Sequence, residues 1–414
     1  MINNNKSLEK AKPLDLFNLI LLSLYPLALI SGNLLINIFI FILSISFFFN
    51  FKENKILLKD KIFYLLIFFF ISLLINIFFS TNPENSFPRV IKVFFILFFV
   101  FEIKRLSQNY GLSYMKYVFS SWFAIFLVLT FDILFEIIFG YNIIGNKSYM
   151  PGRIASFFGD ELVVGAFFHG FVLFFFSYLI FQKSKSYTLI ISIVGVLLIG
   201  FLIGERSNFI KIFLSVVIFT SLVVKVNYKL KIATILLVFT TLIAFTNFNE
   251  HYKLRYFDQI KSLFSINGYS NYLKQSQYGA HQNAAIKIFN ENFYFGVGIK
   301  NFRHEVGKKK YENKKNIKTE VRQATHPHQV HHELLSETGI FGYLSFLIFL
   351  LLSLYLGIKS YLKTKNLYQL SGIIFVITSL LPILPSGSFL STFSSSIFWL
   401  NFAIMCSYIK KTKS

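Results

Sequence analysis

The sequence predicts an all-α, polytopic membrane protein with about twelve transmembrane helices and one large extracytoplasmic loop. Of the 414 residues, 55% are hydrophobic and 14% are charged, whereas soluble globular chains carry about 25% charged residues. Apolar runs long enough to cross a bilayer recur along the chain, and the short connections between them alternate between basic and weakly charged. These observations argue against an ordinary cytosolic enzyme and exclude a disordered chain.

The predicted spans follow from the apolar runs. They lie near residues 15–31, 33–51, 61–80, 88–104, 116–139, 161–182, 187–204, 208–225, 230–247, 334–358, 368–384 and 389–409. Every second connection is rich in lysine, and the positive-inside rule places that set in the cytoplasm. Both termini are then cytoplasmic, as an even number of spans requires. We therefore predict a single integral membrane domain over residues 1–414.

The predicted extracytoplasmic loop spans residues 248–332, between helices nine and ten. It is rich in lysine, but long loops cross the membrane largely regardless of charge. Residues 276–289 have the pattern of a short amphipathic helix. The stretch 300–322 carries nine Lys and Arg residues, Arg303 among them, against three Glu. It is either a solvated face or a surface that attracts phosphates and lipid head groups. The net charge of +22 is assigned to segments flanking the spans, so no nucleic-acid partner is expected.

Half of the eight histidines lie where this loop meets the tenth span, at His326, His328, His331 and His332. Pro327 suits the first turn of a helix. With the helix starting there, His328, His331 and His332 would share one face, because residues three and four apart are neighbours.

Three roles compete for these histidines. A metal site is weakly supported, since Ser336 stands where a metalloprotease helix has its second histidine, and no cysteine or aspartate completes a tetrahedron. Capping at the interface is a purely structural alternative. General-base catalysis is the favoured role, because a helix N-terminus would hold His328 neutral and able to accept a proton near pH 7.

Arginines on the same predicted face are candidates for an anionic substrate. Arg206 lies in the tight connection 204–207, and its partner is either Glu205 or an anionic substrate group. Arg255 and Arg153 are further candidates. The acids Asp132 and Glu136, one turn apart in the fifth span, either line a polar cavity or are solvated at its outer end.

Several motifs resemble the O-antigen ligase family. His328-Gln329, nine residues and then Gly339-Ile-Phe-Gly342 is similar to the family signature. The connection 204–207 and Phe295-Gly-Val-Gly298 are similar to two further family motifs. The glycine pair 296–298 is interpreted as a tight turn and not as a nucleotide fingerprint, because the third glycine and the βαβ pattern are missing. The family's arginine near 278–281 is missing here, so Arg255, Arg303 or His281 would have to replace it.

The resemblance implies a GT-C-like, metal-independent glycosyltransferase of the bacterial inner membrane, with no cofactor and an active site facing the periplasm. Its substrates would be a glycan on undecaprenyl diphosphate and a sugar hydroxyl on lipid A–core, both approaching through membrane lipids. His328 would be the general base, and Arg206 would stabilise the diphosphate, with Arg255 second and Arg153 third. The remaining candidates for substrate binding are Arg303, His326, His331, His332 and Glu205.

Two alternatives stay open. A polysaccharide polymerase of the same superfamily would use the same donor with another lipid-linked glycan as acceptor. A transporter or flippase belongs to a different class. Transporters commonly show internal repeats and ionisable groups near the midplane, whereas this sequence has no evident repeat and its polar residues gather at one predicted face. That distribution favours catalysis at the interface.

Overall fold

The computed structural model describes residues 11–54, 57–223 and 266–409, together with a few separate residues between 232 and 256. These residues form helices and loops, without a β-strand among them. The helices are α1 (Pro13–Ser23), α2 (Tyr25–Ser31), α3 (Asn33–Phe49), α4 (Phe51–Asn54), α5 (Lys61–Phe78), α6 (Pro83–Phe139), α7 (Val164–Phe181), α8 (Ser186–Leu202), α9 (Arg206–Val223), α10 (Gly268–Gln275), α11 (Gln277–Glu291), α12 (Phe302–Glu305), α13 (Val330–Thr364), α14 (Leu367–Ser379) and α15 (Thr392–Ser407). Short 3₁₀ turns lie at Leu57–Lys59, Ser156–Phe158, Lys309–Tyr311 and Thr319–Arg322.

Helices coincide with every predicted span except 230–247, most of which lies outside the described residues. Five helices are long and apolar enough to cross a membrane: Lys61–Phe78, Met115–Phe139, Val164–Phe181, Arg206–Val223 and Val330–Thr364. The pair α1–α2, bent by 51°, would be a sixth, and α3, α8 and α14 are shorter apolar helices. The all-helical class and the presence of several candidate spans are therefore confirmed. The number of about twelve crossings stays a prediction.

Two of the long helices break at a glycine. Gly111 in α6 has φ 64° and ψ −163°, and Gly339 in α13 has φ 65° and ψ −170°. This region of backbone space is essentially accessible to glycine alone. The break at Gly111 separates the helices that correspond to the fourth and fifth predicted spans, and the break at Gly339 proves important for the candidate site.

The described chain divides into two compact units. The first contains Met1–Phe39, Leu106–Lys261 and Lys365–Ser379. Its helix α7 is largely buried and packs on α8, α9 and α14. Polar side chains join three of these helices, because His169 Nε2 lies 3.2 Å from Ser215 Oγ and 2.9 Å from Thr378 Oγ1. Hydrogen bonds of this kind between apolar helices are typical of membrane proteins.

The second unit contains Ile40–Arg105, Ser262–Thr364 and Leu380–Ser414. Helix α5 packs along α13, with Ser72 and Ser345 hydroxyls 2.6 Å apart and the rings of Phe69 and Phe349 stacked at 5.7 Å. The long loop contributes α11, which confirms the short helix expected over 276–289. Its N-cap is Ser276, whose hydroxyl accepts a hydrogen bond from Gly279 N at 2.9 Å. Helix α11 covers a small apolar core formed by Ala284, Ala285, Ile288, Val297, Phe302, Val306 and Tyr311.

Candidate functional site

The break in α13 is paired with the loop segment 293–298. A helix break leaves backbone N–H and C=O groups without partners inside the helix. Here the loop segment supplies them through four backbone hydrogen bonds: Val297 N to Ser336 O (3.0 Å), Gly298 N to Glu337 O (2.8 Å), Ile340 N to Phe293 O (2.8 Å) and Phe341 N to Tyr294 O (3.3 Å). A Cβ atom on Gly339 would lie 2.4 Å from the carbonyl of Tyr294. The glycine pair and the Gly-x-x-Gly motif noted in the sequence are therefore two halves of one contact.

The helix after the histidine segment begins later than expected. Helix α13 starts at Val330, and the expectation that Pro327 occupies its first turn is wrong. The side chain of Gln329 caps the helix instead, since its Oε1 accepts from His332 N at 2.8 Å while its Nε2 donates to Pro382 O at 2.7 Å. His328 therefore precedes the helix, in the left-handed region with φ 54°. It does not share a helical face with His331 and His332.

His328 lies in a cluster of aromatic rings. Its ring centroid is 4.1 Å from that of His326, 5.0 Å from that of Tyr278 and 5.3 Å from that of His281. Burial, followed by the imidazoles of His326 and His281, lowers the pKa of His328 to about 3. The imidazole is thus neutral near pH 7, as the sequence suggested. The cause is burial among other rings and not a helix N-terminus.

The two neighbouring imidazoles are also held in place. His281 is buried, and its Nδ1 lies 2.8 Å from Arg322 O, a contact that requires the proton on Nδ1. His326 Nδ1 lies 3.0 Å from Thr325 Oγ1, and burial and then the charge of Lys300 lower the pKa of His326 to about 4. The family's arginine was expected near residues 278–281. This position does adjoin His328, but Tyr278 and His281 occupy it.

The other two histidines, His331 and His332, lie in the first turn of α13. His331 has both ring nitrogens engaged, with Tyr343 OH at 3.0 Å and Leu380 O at 2.9 Å. His332 is half-buried, and its Nδ1 makes no hydrogen bond to the described residues. Among the residues that the structure describes, there is no group of three or more His, Cys, Asp or Glu side chains that could hold a metal ion.

A buried lysine connects this region to two carboxyls. Lys300 is buried in the left-handed conformation, and its Nζ donates to Ser388 Oγ at 2.9 Å. Ser388 donates in turn to the Glu333 carboxylate, which also accepts from Phe389 N at 2.7 Å. The Glu337 carboxyl, one turn later in α13, interacts with the Lys300 ammonium as well. Burial lowers the pKa of Lys300, an effect that both carboxyls oppose.

Two cations that the sequence analysis did not select lie near Lys300. Arg89 and Lys92 stand at the start of α6, where Arg89 interacts with Arg303 and Glu337, and Lys92 with Arg89 and Lys300. Arg303 is exposed, yet its charge also acts on Lys300 and His326. The signal that could have found Lys92 is a lysine inside a predicted span, because ionisable residues at membrane depth are usually functional.

The first unit contains the other group of candidates. Glu205 pairs with Arg153, with 3.3 Å between Arg153 Nη2 and Glu205 Oε1. Its carboxylate also accepts from Gly165 N at 3.0 Å and from Asn208 Nδ2 at 2.5 Å. Burial raises the pKa of Glu205, whereas Arg153 and these hydrogen bonds oppose the rise. Glu205 therefore joins two connections of this unit.

The tight connection between α8 and α9 is confirmed. Gly204 has φ 79°, and a Cβ atom there would lie 1.9 Å from Gly152 O, so only glycine permits this approach. Arg206 is the first residue of α9 and belongs to the same unit as Arg153, whereas His328 belongs to the second unit. Arg255 lies outside the described residues.

The acids of the fifth predicted span bind a loop of their own unit. Asp132 accepts from Ile143 N at 2.9 Å and from Ser156 Oγ at 2.5 Å. Glu136 accepts from Ala155 N at 3.0 Å and from Ser156 N at 2.5 Å. Both are buried, so they are structural and are not solvated at the helix end.

Comparison with known protein families gives a match at the site. Residues 163–347 match the family model described as O-antigen ligase. Residues 163–347 are therefore similar to the O-antigen ligase family. This match supports membership of the O-antigen ligase/polymerase superfamily and indicates a glycosyltransferase-like enzyme of a bacterial membrane, with a lipid-linked glycan and an acceptor as substrates in general. No curated protein matches the chain. The matched segment includes Arg206, the glycine pair, His328 and the break at Gly339, but it does not include Arg89 or Lys92.

Proposed function

We propose that this O-antigen ligase family protein transfers a glycan from undecaprenyl diphosphate to a sugar hydroxyl of lipid A–core. The observation that carries the proposal is the neutral imidazole of His328, held among Tyr278, His281 and His326 in the family's signature motif. A base for this reaction must be uncharged before the acceptor binds, and His328 meets that requirement.

The chemical step is a single displacement. The acceptor oxygen forms a bond to the anomeric carbon while the bond from that carbon to the diphosphate oxygen breaks. The hydroxyl proton moves to His328, and the electron pair of the broken bond stays on the diphosphate. Because attack and departure occur on opposite faces, the anomeric configuration inverts. Proton transfer to a positioned base contributes roughly 10²–10⁴ in rate.

The low pKa of His328 has a consequence for this step. An imidazole that holds a proton weakly is a weak base in the free protein. A diphosphate bound near the ring would stabilise the imidazolium and raise its pKa towards neutrality. The base would then become stronger when the donor is bound, which suits a transferase that must not activate water in its absence.

The leaving diphosphate requires cationic stabilisation. Arg206 remains our first choice, since it opens a helix within the matched family segment. Arg255 remains second. Arg153 is third, and its pairing with Glu205 and its bond to Leu162 O at 2.7 Å leave less of its guanidinium for a ligand. Arg303, being exposed in the same unit as His328, is a further candidate.

We also propose the membrane arrangement that the charge pattern predicts. About twelve helices cross the bacterial inner membrane, both termini are cytoplasmic, and the His328 cluster faces the periplasm. Both lipid-linked substrates then approach within the bilayer. No metal is required in this scheme, because the diphosphate is already a good leaving group.

The test is transfer by the purified protein, with a chelator present, from an undecaprenyl diphosphate glycan to lipid A–core or to a second lipid-linked glycan. We expect transfer by the wild type and by His304→Ala, which removes an exposed histidine of the same loop, and none by His328→Ala. Product on lipid A–core supports a ligase, and extension of the lipid-linked glycan supports a polymerase. Uptake into proteoliposomes without any covalent product would overturn the proposal in favour of a transporter.

A further inference from the structure

Four cations of the second unit interact with one another beside the histidine rings. This group, the Arg89 cluster, consists of Arg89, Lys92, Lys300 and Arg303. Its members come from two distant parts of the chain, the start of α6 and the long loop. Glu333 acts on Lys300, and Glu337 acts on both Lys300 and Arg89, so the fully ionised group of four cations and two carboxyls has an excess of positive charge.

Lys92 is the member whose charge is least compensated. Its Nζ atom is buried and makes no hydrogen bond to the described residues. The charges that act on it most strongly are those of Arg89 and Lys300, both of the same sign. By contrast, Lys300 has a hydrogen bond to Ser388 and two carboxyls nearby. A buried ammonium without a hydrogen bond, whose strongest charged neighbours are cations, is costly unless an anion joins it.

We infer that the Arg89 cluster is a binding site for the phosphate group of a substrate. Guanidinium groups bind phosphate oxygens through paired, charge-assisted hydrogen bonds, and a lysine adds a point charge. A bound phosphate would balance the positive charge that Glu333 and Glu337 leave uncompensated. Arg89 and Lys92 lie outside the family-matched segment 163–347, whereas Lys300 and Arg303 lie within it.

The Arg89 cluster also acts on the histidine rings. The charges of Lys300 and Arg303 act on His326, and the centroid of the His326 ring lies 4.1 Å from that of His328. A phosphate held here would act on the base through His326. Residues 278–281, where the family's arginine was expected, include no Lys or Arg. The Arg89 cluster supplies cations within the unit that contains His328. Assigning the bound phosphate to the donor's diphosphate rests on the proposed function, whereas the site itself does not.

The test is a binding measurement that requires no turnover. The full-length protein in detergent micelles is titrated with inorganic pyrophosphate and with farnesyl diphosphate, and farnesol serves as the uncharged analogue. The key variant is Lys92→Met, which keeps the length of the side chain and removes its charge. The matched control is Lys274→Met, because Lys274 is an exposed lysine of the same unit. His328→Ala is included to separate binding from catalysis.

We expect wild type, Lys274→Met and His328→Ala to bind farnesyl diphosphate alike, and Lys92→Met to bind about tenfold more weakly or worse. Pyrophosphate should compete with farnesyl diphosphate, and farnesol should not. Without ligand, Lys92→Met should unfold at the same temperature as wild type or higher, since it removes an uncompensated buried charge. This second readout shows that the variant is folded.

Equal affinity of Lys92→Met and wild type for both anions would overturn the inference. So would equal competition by farnesol. Binding of pyrophosphate alone, lost in Lys92→Met, supports the site and assigns its anion to a water-soluble phosphate instead of the lipid donor. If His328→Ala retains full transfer activity while Lys92→Met loses binding, the proposed function fails and the phosphate site stands.

Discussion

Replacing Gly339 by alanine tests whether the broken helix α13 and the loop segment 293–298 form one structural feature. At φ 65° and ψ −170° an alanine costs about 1–3 kcal/mol in backbone strain. The new Cβ would lie 2.4 Å from the Tyr294 carbonyl, and relieving such an overlap in packed structure costs about 1–3 kcal/mol more. The total of roughly 2–6 kcal/mol is a large part of the stability of a typical domain.

The assay is the thermal unfolding midpoint in detergent, together with glycan transfer. We expect Gly339→Ala to lower the midpoint by about 5 °C or more and to reduce transfer, since the loop segment leads directly into Lys300. The control is Gly195→Ala within α8, where a Cβ atom meets nothing within 4 Å and the change should be neutral or slightly stabilising. Equal midpoints for the two variants would refute this account of the break.

Three further predictions follow from the charged residues and the base. Arg206→Ala should abolish transfer while leaving expression intact, and Arg206→Lys should restore only part of it; normal lipopolysaccharide ladders in the alanine variant would refute the assignment. Glu205→Ala should lower the free energy of unfolding by about 3 kcal/mol, because Arg153 loses its partner, and an unchanged unfolding midpoint would contradict this. The depressed pKa of His328 keeps the base neutral as the pH falls, so kcat/KM should stay level from pH 8 to about 5. A fall centred near pH 6.5 would show an ordinary histidine.

The helices were predictable because long apolar runs leave few alternatives. The described helices that coincide with predicted spans were found from hydropathy. Helix α11 was found from its amphipathic pattern. The glycine motifs were visible as motifs, but their mutual contact was not. The predicted span 334–358 runs through Gly339, so the sequence pattern alone gives an unbroken helix there. Only the partner segment 293–298 explains why the helix breaks.

The site was predictable in its central residue and not in its surroundings. His328 was found from its motif. The helix start was misplaced because Pro327 suggested a start at that residue, whereas the Gln329 side chain caps a helix that begins at Val330. The partner of Glu205 was missed because Arg153 is distant in sequence. Lys92 was passed over inside an apolar run. The contact between Glu205 and Arg153 is tertiary, and local pattern carries no information about it.

The most direct test of the central claim is chemical rescue of the missing base. The His328→Ala protein is assayed for glycan transfer with imidazole added over a range of pH. We expect no transfer without imidazole, and partial recovery that rises with the concentration of unprotonated imidazole. Transfer by His328→Ala at the wild-type rate without imidazole would show that the proton goes elsewhere and would contradict the account.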